Sequence, residues 1–391
     1  MNTDDRRAGD RRSWESDARV AGDRSRNAGK SGKSRTKKVK SPLWAKTMVF
    51  FGVLIMIVSG GALTAAQVVL GEVSSSVDQQ SMLGDSAAVP AKKGQALQGA
   101  LNMLLIGVDE RTVQDDPEGT RADTIIVFHI NAAHDKAYLL SVPRDTLADI
   151  PAFPKTNFGG RKEKINAAFQ HGSDNGGGRT GGFELLAKAV SKITGISFNA
   201  GAIVNFAGFQ SVVEALGGVN MCVDQKVTSI HRDVNGNELP SGVPAMTYQP
   251  GCQHLSPWQA LDFVRQRHMA GGDYDRQRHQ QQFLKAVAKD AMSQGMTDIS
   301  KLNKVMSAAG RTMTFDPGAA SLTDWIFLLK GIGTDGMQML RTNGGTYASL
   351  KCPDGSSCQI LTPTSLQMFA AAKADKVDEF IADHPTWIAK G

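Results

Sequence analysis

Long apolar runs, period-two alternation and helical periodicity divide this chain into recognisable stretches. From Thr47 to Leu70, 24 consecutive residues carry no charge (TMVFFGVLIMIVSGGALTAAQVVL). About 20 apolar residues at 1.5 Å each cross a hydrocarbon layer of about 30 Å, so the pattern predicts one transmembrane helix over 47–70. Further on, NMLLIGVD, TIIVFHI and KAYLLSV are β-branched or aromatic runs bounded by turn residues, and each predicts a strand. VNMCV, from Val219, predicts another. Helical spacing takes over in FELLAKAVSKITG. There Phe183, Leu186, Ala187, Val190 and Ile193 share a face, and Gly195 stands where a C-cap belongs. NFAGFQSVVEALGG has the same design. Ser256-Pro257-Trp258-Gln259 spells a capping box with proline at the first helical position. A long amphipathic helix is expected from about Tyr274 to Ser293, burying Phe283, Leu284, Val287, Ala288 and Ala291.

Strands alternating with helices predict an α/β fold, a three-layer α/β/α domain around a central mixed sheet, preceded by the membrane helix. The expected organisation is a disordered tail over 1–46, the span over 47–70, a polar linker over 71–98 and one folded domain over 99–391. Charge sharpens this picture. Residues 1–46 hold 14 Lys and Arg against 6 Asp and Glu, whereas the other 345 residues hold 30 basic against 32 acidic side chains. The basic character belongs to the tail, so a basic nucleic-acid-binding domain is excluded. By the positive-inside rule the tail stays in the cytoplasm and the domain is extracytoplasmic, on a single-pass cell-membrane protein. Trp44 and Lys46 stand at the front edge of the span, where an aromatic ring and a snorkelling ammonium belong. A cleavable signal would have a shorter apolar region nearer the N-terminus. Within the tail, AGKSGKS imitates a phosphate-binding loop but lacks the glycine that the motif requires five places upstream.

All four cysteines, Cys222, Cys252, Cys352 and Cys358, lie beyond the span. An even number in an oxidising compartment predicts disulfides, and three pairings are possible. Sequence neighbourhood favours Cys222 with Cys252 and Cys352 with Cys358. No Cys and His spacing resembles a zinc site.

Neither a nucleophile elbow nor an HExxH motif occurs, and no GxGxxG follows a strand. What recurs is Arg beside Asp. Asp109-Glu110-Arg111 follows the first strand, Arg121-Ala122-Asp123 opens the second, and Pro143-Arg144-Asp145 ends the third. Arg265-Gln266-Arg267 precedes Asp273, Arg276 and Gln280. On a helix, residues i and i+2 diverge by about 200°. If the helix from Ser256 ends near Val264, Arg265 and Arg267 are extended and point one way. Asp273 is then expected to cap the next helix, with Arg276 and Gln280 on one face. A single Arg-x-Asp pair is ordinary surface chemistry. Several at strand ends point to a pyrophosphate gripped by guanidinium forks, with carboxylates for a hard cation.

In these residues the chain resembles the LytR-CpsA-Psr family of bacterial envelope phosphotransferases. The resemblance rests on Leu105-Ile106-Gly107-Val108-Asp109 with Arg111, on Arg121-Ala122-Asp123-Thr124 and on Ser141-Val142-Pro143-Arg144-Asp145-Thr146. It continues through Lys164-Ile165-Asn166-Ala167-Ala168, Gly217-Gly218-Val219, and Leu255 through Gln282. It spans about 180 residues in family order. It implies transfer of a glycopolymer, teichoic-acid-like or another anionic glycan, from a polyprenyl pyrophosphate carrier to peptidoglycan. It further implies Asp109 and Asp123 as Mg²⁺ ligands and Arg121, Arg144 and Asp273 as catalytic residues, Asp273 being the candidate base. Arg111, Lys164, Arg265, Arg267, Arg276 and Gln280 are implied to bind substrate, and an apolar tunnel to hold the prenyl chain. Two other readings stay open: a polyprenyl pyrophosphate hydrolase, and a non-enzymatic membrane-bound regulator of envelope genes.

Overall fold

The computed structural model describes residues 77–87, 97–108, 119–295, 308, 313–333 and 336–389. The predicted tail and the predicted span over 47–70 lie outside them. Among the described residues no helix is long and apolar enough to cross a membrane.

In chain order the strands are β1 (Asp78–Gln79), β2 (Leu101–Val108), β3 (Ala122–Ile130), β4 (Ala137–Ser141), β5 (Leu147–Ile150) and β6 (Arg161–Lys164). Helices α1 (Ala167–Ser173) and α2 (Gly178–Thr194), strand β7 (Ala200–Asn205) and helix α3 (Phe206–Leu216) follow. Next come β8 (Val219–Val223), β9 (Val227–Asp233), β10 (Ala245–Tyr248) and β11 (Gly251–Leu255), then α4 (Pro257–Arg265) and α5 (Gly272–Gly295). The C-terminal part holds β12 (Met313–Asp316), α6 (Leu322–Ile332), β13 (Met337–Leu340), β14 (Ser349–Lys351), β15 (Ser357–Gln359), α7 (Pro363–Lys373) and α8 (Val377–Asp383).

Seven strands form the central sheet in the order β1-β12-β7-β2-β3-β4-β13. It is mixed: β1 with β12, β7 with β2 and β4 with β13 are parallel, whereas β12–β7, β2–β3 and β3–β4 are antiparallel. Side chains alternate across a strand, and the apolar runs exploit this on both faces. Leu104, Ile106 and Val108 of β2, with Ile125 and Val127 of β3, pack toward Phe169, Phe183, Leu186 and Phe369. Leu101 and Met103, with Ile126, Phe128 and Ile130, join Leu322, Trp325 and Met339 on the other face. Helices therefore cover the sheet on both sides. A third cluster gathers Val219, Met221, Tyr248, Phe263 and Phe283 beneath α4 and α5.

The predicted elements form where the periodicity placed them, with instructive differences at their ends. Gly195 adopts φ 72° at the end of α2, the left-handed cap expected of it. At α4 the Gln259 side chain accepts the Ser256 N–H at 2.9 Å, and Pro257 sits in the first turn. Both disulfides pair as neighbourhood favoured. Cys222–Cys252 joins directly opposed positions of β8 and β11, and Cys352–Cys358 closes the β14–β15 hairpin. Closing the 30-residue loop of the first stabilises the fold by roughly 3–4 kcal/mol in the chain-entropy model.

The stretch expected to be a linker is a correction. Residues 77–87, inside the predicted 71–98 stalk, are part of the fold. There β1 adds to the sheet edge, Met82 and Leu83 are buried, and Asp316 Oδ2 accepts both of their N–H groups at 2.5 and 2.9 Å. Two buried apolar residues and one carboxylate outweigh a polar neighbourhood.

Candidate functional site

Strand register builds the first wall of the site. Because β3 and β4 are antiparallel with Ile126 opposite Ser141, Asp123, three residues before Ile126, comes alongside Arg144, three residues after Ser141. The second wall is the start of α5. Its first turn is secured by Asp275, whose Oδ2 accepts the Gly271 N–H at 2.8 Å. Asp275, not Asp273 as expected, thus serves the helix start. Asp273 is left to face Arg276 Nη2 at 2.7 Å and to accept a bond from Gln277 Nε2 at 2.8 Å.

The two walls meet at Asp123. Arg144 Nη1 reaches its Oδ1 at 2.5 Å, and Arg267 Nη2 reaches its Oδ2 at 3.1 Å. Arg276 lies 3.8 Å from the same Oδ2 and donates to the Asp123 backbone carbonyl at 3.0 Å. Burial alone would raise the Asp123 pKa. Attraction by Arg144 and Arg276, the Arg144 hydrogen bond and the Arg267 charge outweigh it, and hold the carboxyl below its ordinary range. Burial acts in the opposite sense on Arg276, which is 2% exposed: its pKa is pulled down to about 10, despite Asp273. Arg144 is raised, because Asp123 outweighs its burial.

Three guanidinium groups thus share Asp123 and Asp273. Lys164 is occupied with Asp145 at 3.3 Å, and Asp145 also lies 3.7 Å from Arg144 Nε. The Nε–H groups of Arg144 and Arg276 are buried without an acceptor among the described residues. Buried donors left unmade are costly, and a multivalent anion would satisfy them.

Beside this polar cluster lies an apolar cavity that opens partly to solvent. Leu105, Ile126, Val204, Phe283 and Leu284 line it, and so do Thr124 and Gln280. Those two are bonded to each other, Thr124 Oγ1 donating to Gln280 Oε1 at 2.9 Å. Polar cluster and apolar cavity therefore share a boundary, since Thr124 follows Asp123 and Gln280 is one turn beyond Arg276.

Not every residue singled out in the sequence converges here. Arg121 is exposed and donates through Nε to Gln170 of α1 at 3.0 Å. Arg265 is the last residue of α4, one later than the helix was expected to end, and it is exposed. Its charge acts on His231 of β9, whereas Arg267 bonds Asp123, so the two arginines of Arg-Gln-Arg are engaged differently. Asp109 and Arg111 lie outside the described residues. Among those described, no three His, Cys, Asp or Glu side chains gather as a metal site.

Sequence reasoning gave Thr124 no role, although it stands in the Arg121–Thr124 motif as a hydroxyl beside an ionised pair, and it missed Tyr347, which lies far along the chain outside every motif.

The chain matches the model of the LytR_cpsA_psr family over residues 67–375. It is 28% identical over 310 residues to the cell wall biosynthesis protein LcpA of Corynebacterium glutamicum, covering 72% of this chain and 56% of that protein. The chain therefore spans little more than half the length of that relative. It is 29% identical to the polyisoprenyl-teichoic acid–peptidoglycan teichoic acid transferase TagU of Oceanobacillus iheyensis, covering 73% of this chain and 79% of that protein. Among solved structures, a protein of Streptococcus agalactiae superposes with a TM-score of 0.56 at 23% identity, covering 71% of this chain and 88% of that one. TagV of Bacillus subtilis gives 0.53 at 21% identity, covering 72% and 98%. TagT bound to LI-WTA gives 0.51 at 23%, covering 73% and 95%. At these identities the structures establish a shared fold.

Proposed function

The chain belongs to the LytR_cpsA_psr family, and on that premise we propose that it transfers an anionic, teichoic-acid-like glycan from a polyprenyl pyrophosphate carrier to a peptidoglycan hydroxyl. One observation carries this reading: buried guanidinium donors without acceptors stand directly beside an apolar cavity. A prenyl pyrophosphate is anionic at one end and hydrocarbon at the other, and the paired environments suit both ends. The name of the relative TagU, a teichoic acid transferase acting toward peptidoglycan, supports the same reading.

In the transfer, the acceptor hydroxyl attacks the phosphorus that bears the glycan. A new P–O bond forms, the bond to the bridging oxygen breaks, and polyprenyl phosphate leaves. Arg144, Arg267 and Arg276 hold the pyrophosphate and offset the charge that develops on the transferring group, the main contribution phosphoryl transfer requires of a protein. Asp273 takes the acceptor proton. Leu105, Ile126, Phe283 and Leu284 receive the first part of the prenyl chain.

The donor chemistry here suits magnesium, because Asp123 is an ionised, hard oxygen ligand. Asp123 with Asp109 would hold Mg²⁺, which when bound supplies further positive charge to the phosphates. Residues 47–70 anchor the chain in the cell membrane, the domain lying outside the cytoplasm; resistance of the full chain to alkaline extraction from membranes checks this.

The test is turnover of the full chain with polyprenyl-pyrophosphate-linked glycan and peptidoglycan fragments, products being read by mass spectrometry. A glycan–peptidoglycan phosphodiester that disappears in Arg144→Ala is the expected result. Glycan phosphate alone, formed equally with and without acceptor, would establish a hydrolase instead.

A further inference from the structure

We infer that Tyr347, contributed from between β13 and β14, is a positioning residue that holds Asp273 in place for transfer. This rests on the proposed transferase reading and extends it to a part of the chain outside every motif discussed above. The Tyr347 hydroxyl accepts the Asp273 N–H at 2.7 Å and donates to the Gly271 carbonyl at 3.0 Å. One oxygen thus spans Gly272 and fixes the backbone on both sides of it. Gly272 has φ +52°, and a Cβ there would come within 2.1 Å of that hydroxyl. The position is open to glycine because of both its conformation and the oxygen lying over it.

The phenol ring is itself held. It meets Tyr274 edge to face at 5.1 Å, and the Tyr274 hydroxyl accepts from Asn343 Nδ2 at 2.8 Å. Asn343 is tied in turn to Ile360 O at 2.8 Å and Ser365 Oγ at 2.6 Å. The same segment reaches the opposite wall of the site. Gln359, at the end of the hairpin closed by Cys352–Cys358, donates its N–H to the Asp145 carbonyl at 2.9 Å. It also accepts the Ala348 N–H through Oε1 at 3.2 Å. One C-terminal segment therefore ties the helix bearing Asp273 and Arg276 to the strand exit bearing Arg144. The Asp273 carboxylate lies only 4.0 Å from Arg144 Nε, so its distance from the guanidinium groups depends on that brace.

Tyr347 is 51% exposed, and water can replace its hydroxyl at little cost to folding. Precision of placement is what its loss removes. In full-length Tyr347→Phe the ring contact with Tyr274 remains and the bridge is gone. The expected result is a fall in kcat of about tenfold or more, since small misplacements of reacting groups cost up to about 100-fold. KM for the lipid-linked donor should stay within about twofold, and the melting temperature should be nearly unchanged. Gly272→Ala, which displaces the same hydroxyl, should lower kcat comparably, and the double variant should be no worse than the poorer single one. A Tyr347→Phe protein with wild-type kcat, or one whose loss follows a lowered melting temperature, overturns the inference while the transferase reading stands. Multiplying losses in the double variant also overturn it. A wild-type chain without transfer activity removes the function, and the inference with it.

Discussion

The two ends of the β3–β4 hairpin use the same strands for opposite purposes. At one end Asp123 and Arg144 lie side by side, and Arg267 and Arg276 crowd onto the same carboxylate. At the other, His129 is fully buried between Asn102 Oδ1 at 2.8 Å and Asp375 Oδ1 at 3.3 Å. There the Tyr138 hydroxyl donates to Asp378 at 2.7 Å, and Lys136 meets Asp378 at 2.6 Å. Asp375 also accepts the Ala132 N–H at 3.1 Å. Burial keeps the His129 pKa low in spite of Asp375, so the ring favours its neutral form. The far end is a closed account in which donors find acceptors. The near end sets four cations, Arg144, Lys164, Arg267 and Arg276, against the carboxylates of Asp123, Asp145 and Asp273, and leaves two Nε–H groups unpaired. Burying unbalanced charge weakens a fold, and the imbalance makes sense if an anion completes it. Unpaired buried donors, more than burial or strand geometry, separate the binding end from the structural one.

Substituting Arg276 is the strongest challenge to that contrast. Arg276→Lys keeps the charge but loses the fork that reaches the Asp123 carbonyl and Asp273, and an ammonium cannot reproduce it. A charged hydrogen bond from a guanidinium to a substrate phosphate contributes roughly 1.5–3 kcal/mol, so losing two implies a loss of transfer of about 100-fold or more. Turnover measured beside thermal melts decides the matter. If activity fell only as far as the folded fraction, the near end would be structural like the far one.

Arg267→Lys should cost about tenfold in transfer, and Arg265→Lys clearly less, because Arg265 is exposed at the end of α4 while Arg267 bonds Asp123. Equal losses in the two would mean that the substrate extends past α4, and would enlarge the near end beyond the residues around Asp123.

The smallest effects belong to the far end. Tyr138→Phe removes one hydrogen bond to Asp378 and should lower stability by about 1 kcal/mol while transfer stays normal. His129 adds a pH signature. Its pKa is lower in the fold than the ordinary 6.5, so the unfolded chain takes up the proton first. Stability from this site is therefore full above pH 6.5 and declines as pH falls through that value. Melting temperatures between pH 5 and 7.5 should show that decline in the wild type and less of it in His129→Asn. Loss of transfer in Tyr138→Phe at full stability would break the comparison from this side.

Much of this was legible in the residues. The β-branched and aromatic runs LLIGV and TIIVFHI suit strands buried on both faces of a sheet, and Phe183 to Ile193 could bury a face only as a helix. Asp123 and Arg144 were marked as strand-end residues of opposite charge, although only the antiparallel register makes them neighbours. What failed turned on short distances along the chain. Arg265 closes α4 and acts on His231, whereas Arg267, beyond the extended Gln266, bonds Asp123. No periodicity in a two-residue strand could announce β1, which forms because Met82 and Leu83 find a place to be buried.

Read alone, the residues set β2, β3, β4, β8 and α2 to α5, the disulfide neighbourhoods, the family and the residue types of the site, since each of these follows from local pattern and from motifs read in order. Tertiary structure alone decided which arginines share Asp123, which carboxylate secures the start of α5, where the apolar cavity meets the polar cluster, and that Tyr347 reaches Asp273 from 74 residues away. The reason is physical. Local pattern governs backbone conformation through interactions a few residues apart, whereas a site is made of side-chain directions that are set only when distant elements pack against one another.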